Sequence, residues 1–146
     1  MSYRTITITS NQPPKEGVAS GTIYPGMLLE RTATADQVQA HSHDRGRVHG
    51  NLVAVEDSLQ GNDIADAYAS ASRIFFKSFL PGDEVLGRVG IGTAIAIGDE
   101  LCSNGAGNLE KFTQDSSAGG EEPYAFGTAL EACTATAVTL IRVEVA

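Results

Sequence analysis

The sequence predicts an all-β fold, a single compact β-sandwich or barrel-like domain, and three observations predict it. Short apolar runs recur about every 8–12 residues with Gly, Pro, Asn or Asp between them, which is the spacing of a sandwich or barrel. Two of these runs alternate: Ile6 and Ile8 oppose Thr5, Thr7 and Thr9, and Ile141, Val143 and Val145 oppose Leu140, Arg142 and Glu144. Period-two alternation marks a strand with one buried face. The third observation is that only Asp63–Ser72 carries a helical period, with Ile64, Ala67, Tyr68 and Ala71 on one face. Its many small residues suit a packed turn equally well, so at most one short helix is expected.

The elements follow in order. Tyr3–Thr9 is the first strand. The segment Ser10–Gly17 contains Pro13 and Pro14 and cannot continue a ladder, because proline offers no N–H. Residues 1–16 are therefore read as an extended N-terminal arm and residues 17–146 as the β-domain. Such an arm adds to a neighbouring sheet edge through Tyr3, Arg4, Ile6 and Ile8; the alternative is an ordinary first strand.

Val18–Tyr24 and Met27–Thr32 read as strands around the turn dipeptide Pro25-Gly26. Val38 and Ala40 suggest a short strand before the polar stretch His41–Arg47, and Asn51–Glu56 another after it. Ile74–Leu80, aromatic and β-branched, is the strongest strand. Val85–Val89, Thr93–Ile97, Asn108–Phe112, Tyr124–Ala132 and Val138–Val145 complete the set. Thr113–Glu122 is an acidic loop of small residues and the segment expected to move most.

At 146 residues the chain suits one domain. Its apolar fraction is 42%, but 19 of those residues are alanine, so the core is thin in large side chains and association is expected to add stability. The net charge of −8 disfavours nucleic acid and anionic membranes, which need clustered Lys and Arg. No apolar window is long enough to cross a bilayer, and the first ten residues lack the apolar centre of a signal peptide, so a cytoplasmic site of synthesis is expected. Cys102 and Cys133 have no metal-ligand spacing and are expected to be buried free thiols; whether they pair depends on a separation that sequence does not give.

Three places invite chemistry. All three histidines lie in His41-Ser42-His43-Asp44-Arg45-Gly46-Arg47-Val48-His49. His41 and His43 at i, i+2 have the spacing of metal ligands on a strand. Arg45 and Arg47 bring positive charge there, so no metal is expected. The segment His41, His43, Arg45, Arg47 and His49 is read instead as a docking patch for an acidic partner surface, or a solvated loop.

Gly82-Asp83-Glu84 and Gly98-Asp99-Glu100 offer paired carboxylates of the kind hydrolases use. Each pair follows a turn glycine, where Asp binds its own backbone, so Pro81, Gly82, Asp83, Gly98 and Asp99 are read as structural corners, and Gly105 and Gly107 as a hairpin turn. The glycine pairs are too sparse for a dinucleotide or phosphate loop. No enzymatic activity and no cofactor are expected.

One set of motifs points further. The stretch Phe75-Phe76-Lys77-Ser78-Phe79-Leu80-Pro81-Gly82-Asp83-Glu84-Val85 runs on to Ile95-Ala96-Ile97-Gly98-Asp99-Glu100-Leu101 and the turn Asn104-Gly105-Ala106-Gly107-Asn108. With Gly26-Met27-Leu28-Leu29-Glu30 before it and Gly127-Thr128-Ala129-Leu130-Glu131-Ala132 after it, this resembles the capsid decoration (cement) proteins of tailed bacteriophages. The resemblance spans about Ile23 to Val145 and rests on short glycine-driven motifs.

The resemblance implies a β-tulip or jelly-roll-like domain on the outer surface of the virion, made in the bacterial host cytoplasm. It implies the major capsid protein as partner, a homo-oligomer (dimer or trimer), and stabilisation of the expanded shell by bridging capsid subunits. Met1 to about Gly21 lies outside the matched part, which leaves open whether the arm meets the capsid or a sister subunit. A reading of another class is a phage-surface β-domain that binds carbohydrate or another host-surface ligand; with no Trp and four Tyr, the sequence favours it less.

Overall fold

Strand β7 (Glu84–Val89) organises the larger of two sheets in the computed structural model, which describes residues 5–92, 94–113, 124–134 and 136–146. Along one edge β7 pairs antiparallel with β13 (Thr139–Val145), from Val89 opposite Thr139 to Glu84 opposite Glu144. Its other edge is divided. There β1 (Thr7–Thr9) pairs with Glu84 and Val85, and β10 (Leu109–Lys111) meets Val89 in parallel. From β10 the sheet runs through β9 (Glu100–Ser103) and β11 (Gly127–Ala129) back to β13. The strands close on themselves as a small barrel, with β1 attached outside the ring.

The second sheet has the order β3 (Leu29–Arg31), β4 (Gln37–Ala40), β2 (Lys15–Ser20), β6 (Arg73–Ser78), β5 (Leu52–Ala54). β2 runs parallel to β4 and antiparallel to β6. A bridge between Leu28 and Val53 joins the two outer strands, so this sheet also curls shut. A ribbon of β8 (Ala94–Ile95) and β12 (Cys133–Thr134) forms a ladder of its own and packs Ile95 and Cys133 against the larger core. Closure suits short strands, because it leaves few unpaired edges.

Alternation divides the core between the two sheets. Ile74 and Phe76 of β6 point into the smaller barrel with Leu52, Ala54, Leu29, Val38, Ala19, Ile23 and Tyr68. Phe75, Val53 and Val55, one residue out of phase, pack with Val85, Leu86, Leu101, Leu109, Ile141 and Val143 of the larger barrel. One strand pair thus serves both cores, as period two requires. At roughly 25 cal/mol per Å² of apolar surface removed from water, this shared interface fastens one barrel to the other without a linker.

Glycines allow the closest approaches. A Cβ on Gly127 would sit 2.3 Å from the Glu144 carbonyl oxygen, so β11 reaches β13 only with glycine there. At the hairpin, Gly107 (φ 81°) holds a conformation that side chains avoid, and its carbonyl accepts the Leu28 N–H at 2.8 Å.

The structure corrects the expected arm. Ile6 is fully buried in the larger core, its carbonyl accepts the Leu86 N–H at 2.8 Å, and its own N–H donates to Glu56 Oε2 at 3.0 Å. Thr7–Thr9 pair with β7 of the same chain. Pro13 and Pro14 fall between two ladders: β2 starts at Lys15, inside the stretch assigned to the arm, so the prolines turn the chain from one sheet to the other. Ile8 is half-buried against the same core, while Tyr3 and Arg4 lie outside the described residues.

The stretch Asp63–Ser72 resolves as the packed turn. Tyr68 bridges to Ile23 and donates its hydroxyl to the Val55 carbonyl at 2.5 Å, and a 3-10 turn at Ser58–Gln60 leads into the stretch. Two strands, β9 and β12, lie outside every expected strand. The acidic loop is outside the described residues for most of its length, 114–122.

Candidate docking cleft

The segment 41–49 crosses from the smaller barrel to the larger one, and its side chains do not share one fate. His41 directly follows β4 and is buried. Its Nδ1 lies 2.6 Å from the Ser103 hydroxyl and its Nε2 lies 3.0 Å from the Arg47 carbonyl. A carbonyl only accepts, so Nε2 carries the hydrogen. Ser103 Oγ accepts the Gly105 N–H at 3.1 Å and turns its own hydrogen toward Nδ1. His41 is therefore a structural tie, which corrects its place in the docking patch.

His43 points outward with its side chain 76% exposed, 3.9 Å from Glu30 Oε2. The two rings meet edge-on at 5.9 Å, buried against exposed; they share no strand face, because the chain here is loop and not ladder. Arg45 turns toward the larger barrel. Its N–H donates to the Ser103 carbonyl at 2.7 Å, its side chain donates to the Thr113 carbonyl, and its carbonyl accepts the Tyr124 N–H at 3.1 Å. Arg47 and His49 remain exposed.

What the segment does build is one wall of a cleft of roughly 820 Å³. His43, Arg47 and His49 line it from the loop, Lys15 and Arg31 from β2 and β3, and Tyr124 from the far side. Glu30 is the acidic residue in this lining. Burial alone would raise its carboxyl, but hydrogen bonds from Ser42 and Gln39 and the nearby His41 and His43 rings outweigh that and hold it below its ordinary value. Gln39 Nε2 donates to its Oε1 at 2.8 Å, and the Ser42 hydroxyl donates to the same oxygen. Glu30 is thus a charged anchor for the loop, engaged from within.

Three fixed cations against one engaged carboxylate leave this cleft positive on a chain of net charge −8. Positive charge lining a concave site raises the local concentration of acidic groups. Among the described residues, no three His, Cys, Asp or Glu side chains converge as a metal site would need.

The carboxylate corners are turns in the backbone sense. Asp83 Oδ2 accepts the Leu80 N–H at 2.9 Å, and Asp99 Oδ2 accepts the Ala96 N–H at 2.8 Å. Gly82 and Gly98 both take positive φ, at 91° and 90°. Gly105 lies against the backbone of Asp44, and Gly107 against Ala40 and Met27. Cys102 and Cys133 are free; Cys102 is buried as expected, whereas Cys133, on the short β8–β12 ribbon, is only partly covered.

No protein-family model matches the sequence, and no curated protein matches it. Among solved structures, the chain is similar to the N-terminal base of the head fiber protein gp8.5 of bacteriophage phi29. The TM-score is 0.59 at 13% identity, over 92% of this chain and 94% of that one. The likeness is one of fold. It extends over both barrels and shows the all-β architecture to be one that a phage virion protein also uses.

Sequence reasoning found the loop residues of the cleft but missed Lys15, Glu30, Arg31 and Tyr124. Alternation in β3 puts Arg31 on the same face as the buried Leu29, at the rim where its guanidinium lies over the Phe76 ring. Nothing in the sequence says that this face turns toward residue 47.

Proposed function

We propose that this chain is a structural protein of a phage particle, a decoration protein that sits on the outer surface of the head and bridges major capsid protein subunits. The observation that carries the reading is the fold likeness to a head-fiber base along nearly the whole of both chains. The motifs around Pro81-Gly82-Asp83 and Gly98-Asp99, and the glycine hairpin at Gly105–Gly107, agree with it.

The physical design suits the task. Two closed barrels whose separate cores are fed by one shared strand pair make a stiff block, and a stiff block transmits load between the subunits it touches. The cleft provides the contact: Lys15, Arg31 and Arg47 face outward on a protein whose remaining charge is acidic. An acidic patch on a capsid subunit docks there, and the acidic outer surface keeps coated heads from adhering to one another. Oligomerisation as a dimer or trimer belongs to the same proposal, since shell symmetry offers two-fold and three-fold positions.

The test is the copy number of the chain relative to the major capsid protein in gradient-purified particles. A simple icosahedral ratio is expected. A handful of copies per particle, or none, would overturn the decoration role and turn attention to a tail-associated or carbohydrate-binding protein.

A further inference from the structure

Turn tips meet water and are usually built from Gly, Asn, Asp, Ser or Pro. Two tips of the larger barrel carry isoleucine instead. Ile91 stands between Gly90 and Gly92 where the chain leaves β7, and Ile97 stands in the corner between β8 and β9. Their exposures are 69% and 70%. A single exposed apolar side chain needs no explanation, but these two flank one uncharged surface.

That surface is the ribbon of β8 and β12. In its register Ala94 is opposite Thr134 and Ile95 opposite Cys133. Ile95 and Cys133 face the larger core, so period two turns Ala94 and Ala96 outward, and both are exposed. Val138, 41% exposed, precedes Thr139, which is opposite Val89, and this register brings it to the Ile91 end of the ribbon. Among the described residues β8 and β12 pair only with each other, so each keeps an edge without a strand partner.

An open edge is ordinarily guarded by a charge, a lysine above all, or by proline. Here there is no such guard. The chain is 19% charged, yet residues 89–98 and 132–141 contain no Asp, Glu, Lys, Arg or Pro. The presentation is also rigid. Asp99 Oδ2 accepts the Ala96 N–H at 2.8 Å, the Asp99 N–H donates to the Ala96 carbonyl at 3.1 Å, and the Gly98 N–H ties the corner to the Ala129 carbonyl at 2.8 Å. Ile97 is thus held outward before anything binds it, which lowers the ordering cost of a contact.

We propose that this ribbon is the contact between two copies of the chain, set face to face about a two-fold axis with Ile91, Ile97 and Val138 buried between them. Charge selects the occupant. Each copy carries a net charge of −8, so two copies approach at least cost where neither bears charge. That condition is the same for both, so the same face meets itself, which is the isologous contact of a two-fold dimer. The positive cleft stays outside this contact and free for an acidic partner. The dimer gives a surface to the oligomer in the reading above, and its place on a phage head rests on that reading.

Sedimentation equilibrium of the purified chain tests the contact without any particle, so its failure leaves the copy-number test standing. A monomer–dimer equilibrium is expected, and added salt should tighten it by screening the repulsion of two acidic chains. Ile91→Glu with Ile97→Glu should raise the dissociation constant by at least about tenfold, because four like charges would then meet in the contact. Both positions are exposed, and circular dichroism checks that the variant folds. Leu59→Glu with Leu80→Glu adds the same charge elsewhere on the surface and should leave association close to that of the natural chain. A chain still monomeric at about 1 mM would overturn the proposal, as would a trimer or equal effects of the two double variants. Association that weakens with salt would place the contact in the cleft and overturn it as well. If the ribbon variant fails to fold, amide exchange of the natural chain decides: protection of ribbon amides that rises with protein concentration sustains the contact, and protection independent of concentration overturns it.

Discussion

The hydroxyl of Ser103 lies 2.6 Å from Nδ1 of His41, and this one contact joins the end of β9 in the larger barrel to the end of β4 in the smaller. Nε2 of the same ring holds the Arg47 carbonyl, so His41 links both sheets to the cleft loop.

His41→Ala would leave the Arg47 carbonyl without its ring partner and a void where a buried ring stood. A loss of about 2–4 kcal/mol in unfolding free energy is expected, from the cavity and the broken hydrogen bonds together. His41→Gln, which can still donate to the carbonyl, should recover part of it. Chemical denaturation of the two variants measures both; equal and negligible losses would mean that the ring ties nothing.

Ile6 gives the second prediction. Because it is fully buried beside Val85 and Leu86, Ile6→Ala should cost about 2–5 kcal/mol. Removing residues 1–14 should cost more, since β1 leaves with it and β7 loses part of an edge. Thermal unfolding tests this. A truncated chain with unchanged stability would restore the idea of a separable arm.

These residues show where sequence was informative. Ile141, Val143 and Val145 declare their buried face by alternation, and all three are buried. The alternation of Ile6 and Ile8 was equally legible, but the choice of partner strand was not, because an edge strand pairs with any open ladder of suitable register. Pro13 and Pro14 show that a ladder is interrupted, not where the chain goes next. Cys133–Thr134 has too few residues to form a period. Arg31 and Arg47 are 16 positions apart, and only closure of the smaller sheet brings them to one cleft.

The two thiols should be distinguishable. Burial, helped by the nearby Glu110, raises Cys102 to about 11, and burial raises Cys133 as well. Cys102 is completely enclosed and Cys133 only partly. Alkylation at mildly basic pH should label Cys133 first, with Cys102 labelled on the timescale of unfolding, because the thiolate is the reactive form and must be reached. Peptide mapping after timed quenching reads this. Equal rates would show that the β9 region opens locally, and loss of both thiols under non-reducing conditions would show pairing.

Charge in the cleft provides the sharpest functional test. Lys15, Arg31 and Arg47 against Glu30 give +2 with the histidines neutral, and Arg31→Glu with Arg47→Glu reverses this to −2. Both arginines are exposed, so the double variant should unfold within about 1 kcal/mol of the natural chain, apart from what Arg31 gains by lying 5.6 Å over the Phe76 ring. Binding to heads stripped of the protein should weaken by at least about tenfold, and binding of the natural chain should itself weaken with salt, as a charged contact must. Circular dichroism controls for folding, and co-sedimentation with stripped heads reports attachment. Unaltered attachment of a folded double variant would remove the cleft from the docking face while leaving the particle assignment to be judged by copy number.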